Sequence, residues 1–279
     1  MTIIFNGRVF ARQKEKDLRF KILDLRRKGV KPKLVSILVG ENPASILYVN
    51  LKKKAAERIE AEVDVRNMVS RPKDDQPLAE DIGKKEISDL IESVNQDKNV
   101  HGIMVQLPLP ENFSLKDRNE ILNAIAKEKD VDGLREDSPF LTPTVKATLE
   151  VIKEATQYVT LKAWPLKLVV VGAGGFEGRK IYKVLKEMGY EVEGLDRKSE
   201  NFKQVIVTAD ILISVTGSPG IIGSGEIKEG AVVIDVGSPK GDVVTREVLG
   251  KASFISPVPG GVGPVTISCL LENLVDAAS

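Results

Sequence analysis

Residues 168–178, with the sequence LVVVGAGGFEG, show the clearest structural pattern in the chain. The apolar start of this segment predicts a buried strand, the glycines that follow predict a tight turn, and residues 179–188 predict a helix. In a strand, turn and helix of this kind, glycines let backbone amides approach a pyrophosphate at the helix N-terminus. A tight turn without a ligand is the alternative interpretation. We therefore predict a dinucleotide site, with its turn formed by Gly172, Ala173, Gly174 and Gly178.

The end of the next predicted strand, residues 190–195, bears on which dinucleotide is bound. Asp196 stands there, where a carboxylate can accept hydrogen bonds from the ribose of NAD and repel the 2′-phosphate of NADP. Arg197 and Lys198 could instead pair with that phosphate. The sequence therefore predicts NADP or NAD, with a lean to NAD from Asp196 and Ala173, which cannot contact a phosphate. The predicted cofactor residues further along the chain are Asp196, Arg197, Thr216 and Gly217.

The first half of the chain also alternates strand and helix signals. Strands are predicted at 34–39, 62–68 and 101–105, and helices at 10–28, 44–60 and 78–95. This βαβαβ order implies a parallel sheet, whose ligand crevice lies outside the carboxyl ends of the strands.

The length of 279 residues favours two domains over one core. A proline-containing polar stretch and a predicted helix at 144–156 separate the two alternating blocks. We predict an α/β protein with an N-terminal βαβ domain, residues 1–142, and a C-terminal Rossmann-like parallel-sheet domain, residues 143–265. A cleft is expected between them, and a final helix, 266–279, is expected to pack back onto the first domain.

Composition argues against several classes of protein. The 41 Lys and Arg residues almost cancel the 40 Asp and Glu residues, which argues against a general nucleic-acid or membrane-surface binder. No apolar run approaches the roughly 18 residues of a membrane span. With one histidine and one cysteine, His101 and Cys269, a zinc site or a Ser-His or Cys-His nucleophile is not expected, and no metal is predicted. One cysteine and no signal-peptide pattern predict a reducing, cytoplasmic setting.

Four residues in the first half could carry chemistry. Tyr48 and Lys52 share one face of the predicted helix at 44–60, although a lysine run is more often a solvated face. Gln106 follows a buried strand directly, which fixes it at the crevice. Asp132 lies in a turn with Gly133, where an Asx-turn is the ordinary explanation.

Four segments together resemble the methylenetetrahydrofolate dehydrogenase/cyclohydrolase family, over nearly the whole chain. They are YVNLKKKA (48–55), VQLPLP (105–110), KDVDG (129–133) and PVPGGVGP (257–264). The glutamine after the strand and the final proline-glycine loop are the most specific of them, although that loop could also be a rigid linker to the last helix.

The resemblance implies a folate-binding catalytic N-terminal domain, a nicotinamide cofactor on the second domain, and a homodimer. It implies oxidation of 5,10-methylenetetrahydrofolate to the methenyl compound and hydrolysis of that compound to 10-formyltetrahydrofolate. Lys52 would be the general acid/base, Gln106 its positioning partner, Asp132 the carboxylate that holds the pterin, and Tyr48 the ring stacked on the folate. The implied substrate-binding loop residues are Pro259, Gly260, Gly261 and Gly263.

The chain departs from the family pattern at two places. Residues 140–143, FLTP, replace a Pro-Cys-Thr-Pro segment, and Gly172-Ala173-Gly174 replaces a Gly-Arg-Ser turn usually associated with NADP. Two other readings stay open: another two-domain Rossmann dehydrogenase, such as a shikimate dehydrogenase-like or methylene-tetrahydromethanopterin dehydrogenase enzyme, and a non-catalytic nucleotide-binding module.

Overall fold

The computed structural model describes residues 1–69, 83–158 and 166–279. The predicted helix at 78–95 therefore begins outside the described residues. The strands are β1 (Ile3–Ile4), β2 (Lys33–Val39), β3 (Glu62–Met68), β4 (Gly102–Val105), β5 (Lys167–Val171), β6 (Glu191–Leu195), β7 (Ile211–Ser214), β8 (Val232–Asp235) and β9 (Phe254–Ser256). The helices are α1 (Gly7–Arg27), α2 (Pro43–Arg58), α3 (Lys84–Gln96), α4 (Leu115–Asn123), α5 (Pro143–Tyr158), α6 (Phe176–Glu187), α7 (Phe202–Ile206), α8 (Thr245–Val248) and α9 (Val262–Ala277).

The chain forms two compact units, and each is built from two separate stretches. The three-stranded unit comprises Gln13–Pro143 and Ile267–Ser279, and the six-stranded unit comprises Met1–Arg12 and Thr144–Thr266. Each unit has its own parallel sheet, as the predicted α/β class requires, and that class is confirmed. The units differ from the predicted domain boundaries at the N-terminus, because β1 pairs with β9 and ties residues 1–12 to the six-stranded unit.

The sheet of the three-stranded unit has the order β3-β2-β4 among the described residues. Successive residues of β2 point to opposite faces, so that Leu34 packs with α1, α2 and α9 while Val35 and Ile37 pack with α3 and α4. Both faces are buried, as is usual for parallel sheets. The carboxyl ends of β2 and β4 therefore meet at one edge, beside α2.

The sheet of the six-stranded unit has the order β1-β9-β8-β7-β5-β6 in the part of the chain that the structure describes. Its centre consists of β5, β7 and β8, whose residues are almost entirely buried. The order places the turn after β5 next to the loop after β7. Within the described residues, no helix is both long enough and apolar enough to cross a membrane.

Candidate active site and cofactor site

Helix α2 carries two of the predicted site residues. Asn42 caps the helix by accepting hydrogen bonds from the backbone N–H groups of Ala44 and Ser45, at 3.0 and 3.1 Å, and proline occupies the first turn. This start sets the rotation of the helix, so that Tyr48 and Lys52 follow each other one turn apart.

The structure brings Lys52 and Gln106 together. The Nζ of Lys52 donates to the Oε1 of Gln106 at 2.9 Å and lies 3.5 Å from the Sδ of Met104. The Nε2 of Gln106 donates to the carbonyl of Leu107 at 2.7 Å, which turns the oxygen of this buried side chain toward the lysine. Lys53, the next residue on α2, is exposed. Only Lys52 of this pair is therefore held at the strand end.

Burial and one carboxylate act on the pKa of Lys52 in opposite directions. Burial lowers the pKa of Lys52 below its ordinary value, and the negative charge of Asp132 raises that pKa in part. Asp132 therefore lies close enough to act on the lysine by its charge. Lys52 and Gln106 are therefore in contact, and Asp132, in the same three-stranded unit, acts on Lys52 by its charge.

The loop that carries Asp132 is fixed by its neighbours. Asp130 is fully buried and accepts hydrogen bonds from the backbone N–H groups of Leu134 and Arg135, at 3.3 and 3.0 Å. Gly133 has a φ of 64°, which favours glycine, and a Cβ there would meet the backbone of residues 140–142. The Asp132 turn is thus closed against a second stretch of chain.

The predicted glycine turn joins β5 to α6 in the six-stranded unit. Gly172 has a φ of 90°, and a Cβ at Gly178 would collide with the carbonyl oxygen of Gly172. The turn can therefore close only with glycine at both positions, and it leaves backbone amides at the start of α6. Asp196, at the end of β6, accepts a hydrogen bond from the N–H of Gly174 at 3.0 Å. Arg197 beside it is exposed.

Thr216 and Gly217 follow β7 at the same edge of the sheet. A Cβ at Gly172 would lie 2.8 Å from the carbonyl oxygen of Val215, so the glycine turn and this loop are in close contact. The backbone N–H of Thr216 donates to the Oδ2 of Asp242 at 2.7 Å, and the hydroxyl of Ser214 donates to the same oxygen at 2.8 Å.

Two buried carboxylates that the sequence analysis missed support this loop. Asp235 accepts from the backbone N–H groups of Gly237, Asp242 and Val243, at 2.9 to 3.1 Å, and burial raises its pKa. Asp235 thus holds the backbone at Asp242, which in turn holds Thr216. The available signal was a pair of acidic residues on either side of a glycine-containing turn after an apolar strand.

The proline-glycine loop lies in the six-stranded unit. Its peptide bond between Val258 and Pro259 is cis, Gly260 has a φ of 101°, and the N–H of Gly261 donates to the carbonyl of Pro257 at 2.8 Å. Gly263 follows in the first turn of α9. The predicted site residues therefore form two sets: Tyr48, Lys52, Gln106 and Asp132 in the three-stranded unit, and the loop with all cofactor residues in the other. Among the residues the structure describes, no cluster of His, Cys, Asp or Glu could hold a metal ion.

Comparisons with known proteins cover both units. Residues 5–132 match the family model of the tetrahydrofolate dehydrogenase/cyclohydrolase catalytic domain, and residues 142–279 match the model of its NAD(P)-binding domain. The bifunctional protein FolD of Bacillus subtilis is 37% identical, over 99% of this chain and 97% of its own.

Solved structures of similar proteins agree with the match to both family models. The bifunctional enzyme FolD of Campylobacter jejuni, a methylenetetrahydrofolate dehydrogenase/cyclohydrolase, has a TM-score of 0.88 and 34% identity, covering 100% of this chain and 99% of its own. The Trypanosoma brucei enzyme, complexed with NADP and an inhibitor, has a TM-score of 0.87 and 27% identity, covering 99% and 97%. The predicted family is confirmed: the chain belongs to the tetrahydrofolate dehydrogenase/cyclohydrolase family.

Proposed function

We propose that the chain carries out both reactions of its family. It oxidises 5,10-methylenetetrahydrofolate to 5,10-methenyltetrahydrofolate with NAD(P)+, and it hydrolyses the methenyl compound to 10-formyltetrahydrofolate. Relatives named as bifunctional support this function over nearly the full chain. The observation that carries the chemistry is the 2.9 Å hydrogen bond between the Nζ of Lys52 and the Oε1 of Gln106, at a site where burial lowers the pKa of the lysine.

Lys52 serves as the general acid/base of the hydrolytic reaction. Water must lose a proton as it adds to the methenyl carbon, and a neutral lysine can accept that proton. The resulting ammonium can return a proton to the ring nitrogen whose bond to the same carbon breaks, which leaves the formyl group on the other nitrogen. Positioned proton transfer of this kind contributes about 10² to 10⁴ in rate.

The neighbours of Lys52 have different roles. Gln106 holds the ammonium form through its oxygen and so keeps the pKa of Lys52 from falling further. The carboxylate of Asp132 binds the pterin by accepting its N–H groups, and the ring of Tyr48 stacks on the folate. Residues 257–264 supply the substrate loop, with Pro259, Gly260, Gly261 and Gly263 in contact with substrate.

The residues present fit a nicotinamide dinucleotide. The turn between β5 and α6 admits no Cβ at Gly172 or Gly178, so its amides can approach a pyrophosphate closely. Ala173, Gly174, Thr216 and Gly217 complete the walls of this site. When bound, the dinucleotide supplies the hydride acceptor. The protein residues bind it and orient it.

The chain prefers NAD over NADP because of Asp196. Its carboxylate lies at the glycine turn through the bond from Gly174, and it would repel a 2′-phosphate. Arg197 and Lys198 are the cations that could reverse this preference. Asp196→Ser should shift the ratio of kcat/KM values toward NADP by about one to two decades, at ~1.4 kcal/mol per decade. An unmodified enzyme that already prefers NADP would contradict the proposal, and Arg197→Ala would then be the substitution that weakens cofactor binding.

The catalytic assignment is tested with two adjacent lysines. Lys52→Met should abolish hydrolysis of methenyltetrahydrofolate, followed by its absorbance, and should leave folate binding measurable. Lys53→Met, on the exposed side of the same helix, should retain the rate of the unmodified enzyme. Full hydrolysis by the Lys52 variant would overturn the assignment.

Three further predictions of the sequence belong to this proposal. The domain assignment is a folate-binding catalytic domain at 1–142 plus the final helix and a cofactor domain at 143–265. Tyr48, Lys52, Gln106 and Asp132 lie in the first range and all cofactor residues in the second, while residues 1–12 pack with the six-stranded unit. A homodimer and a cytoplasmic setting are the expected assembly and location. Size-exclusion chromatography with light scattering checks the dimer.

A further inference from the structure

One polar residue of α9 lies within an apolar surface. Asn273 is fully buried, although Leu270, Leu271, Leu274 and Val275 around it belong to the hydrophobic core of the three-stranded unit. Burying an amide is costly unless its polar atoms are hydrogen-bonded. The hydrogen-bond partners of the Asn273 amide therefore indicate its role.

The amide of Asn273 joins two stretches of backbone. Its Nδ2 donates to the carbonyl of Val131 at 2.8 Å and to the carbonyl of Leu141 at 3.0 Å. Val131 directly precedes Asp132. Leu141 lies on the stretch against which Gly133 closes, since a Cβ at Gly133 would meet residues 140–142. One side chain of α9 thus fixes both sides of the loop that carries Asp132.

The loop that Asn273 holds affects Lys52 through the charge of Asp132. Asp132 is the acidic residue whose charge raises the pKa of Lys52 against the effect of burial. The side chains of Gln106 and Met104, which contact the Nζ of the lysine, do not titrate. A small displacement of Asp132 therefore changes the balance, because Coulomb energy falls with distance and is large where water is excluded.

We propose that Asn273 is a positioning residue for the reaction: it ties the backbone at Val131 to Leu141, and thereby holds the carboxylate of Asp132 in place for Lys52 and the folate. The inference rests on the proposed function. It adds to the site a residue that lies far from the others in the sequence and acts on the lysine through Asp132.

The test compares two changes on α9. Asn273→Leu keeps the branching of the side chain at Cγ and removes both hydrogen bonds, whereas Val275→Ala removes buried apolar atoms of the same helix and leaves the bonds intact. The pH dependence of methenyl hydrolysis is measured for each. The rate of hydrolysis should rise with pH as Lys52 loses its proton. In Asn273→Leu this rising limb should move to lower pH by about half a unit to one unit, which is less than the pKa shift of about 1 to 3 units that an adjacent opposite charge causes. KM for folate should rise, and the dissociation constant for the dinucleotide should stay unchanged.

A double substitution separates positioning from general destabilisation. In an Asp132→Asn background, Asn273→Leu should move the pH profile no further, because the charge that it displaces is already gone. A shift that persists in that background overturns the inference, and so does an unchanged profile in Asn273→Leu, or an equal shift in Val275→Ala. If Asn273→Leu does not fold, Asn273→Ser takes its place, because the smaller side chain leaves room for water to replace the amide. Asn273→Ser should shift the pH profile of hydrolysis in the same direction by a smaller amount. An unchanged pH profile in Asn273→Ser overturns the inference.

The same assay distinguishes the failure of this inference from failure of the proposed function. Lys52→Met is measured beside the other variants. If it still hydrolyses the substrate at full rate, the assignment of the lysine falls, and the role of Asn273 falls with it. If it is inactive while Asn273→Leu keeps an unchanged profile, only the role of Asn273 falls.

Discussion

Replacing Gln106 in two opposite ways should move the pH profile of hydrolysis in two opposite directions. Gln106→Leu removes the oxygen that accepts a hydrogen bond from Lys52 at 2.9 Å. Gln106→Glu puts a carboxylate at the same distance. The first change destabilises the ammonium form of the lysine, and the second stabilises it.

The size of the first shift follows from the hydrogen bond. A hydrogen bond to a charged group is worth about 1.5 to 3 kcal/mol, and one pKa unit corresponds to about 1.36 kcal/mol. Gln106→Leu should therefore lower the pKa of Lys52 by roughly one to two units beyond the lowering that burial already causes. A carboxylate at this position should raise it by roughly one to three units.

The assay is kcat/KM for methenyl hydrolysis between pH 5 and 10, after correction for the rate in buffer alone. Activity that requires neutral Lys52 rises with pH, so the rising limb should move to lower pH in Gln106→Leu and to higher pH in Gln106→Glu. Lys52→Met combined with Gln106→Leu is the control, and no enzymatic limb should remain. Equal loss of rate in both variants, with the limb in its original place, would contradict this role of Gln106, because the residue would then act by packing alone.

Three further outcomes are expected. Lys52→Met should raise the midpoint of thermal unfolding at pH 7, and this gain should shrink as the pH rises toward 10.5. The reason is that the lysine of the unfolded chain keeps its proton up to its ordinary pKa of 10.5, whereas the lysine of the folded protein loses its proton at lower pH. Calorimetry between pH 7 and 10.5 measures the gain, and a gain that does not depend on pH contradicts the prediction. Asp242→Ala leaves two donors without their acceptor, the hydroxyl of Ser214 and the N–H of Thr216, and should destabilise the protein by about 1 to 3 kcal/mol for each of them. It should also weaken dinucleotide binding, as measured by titration calorimetry. Unchanged binding would mean that the loop does not hold the cofactor. Gly178→Ala should open the turn against Gly172 and weaken the dinucleotide at least tenfold, with folate affinity as the control.

The sequence predicts well the elements that have a clear pattern. The buried strand β5 with its glycine turn, and the strands β2, β3, β4 and β6, lie within a residue or two of their predicted bounds. Strand β1 was missed because it has two residues, Ile3 and Ile4, and exists only by pairing with β9 at the far end of the chain. Helix α4 was missed although Ser114 and Asp117 form a capping box, which is a local signal that could have found it.

The residues of the candidate site also differ in how far the sequence alone could predict them. Lys52, Gln106 and Asp132 follow recognisable local patterns, so each could be named before their contacts were known. Asn273 and Asp242 could not, because a buried polar residue has the same sequence signature as a solvent-facing one until its partners are visible. Their importance depends on long-range hydrogen bonds, to Val131 in one case and to Thr216 in the other.

The interleaved connectivity of the two units determines the order in which the chain can mature on the ribosome. The three-stranded unit holds Lys52, the proposed general acid/base, early in the sequence, yet its core requires Leu270, Leu271 and Leu274 from α9. The six-stranded unit closes sooner, since its last stretch ends at Thr266. A nascent chain can therefore complete its nucleotide-binding unit while the part synthesised first still waits for partners. Stop codons placed directly after codon 266 should consequently spare dinucleotide binding and abolish hydrolysis.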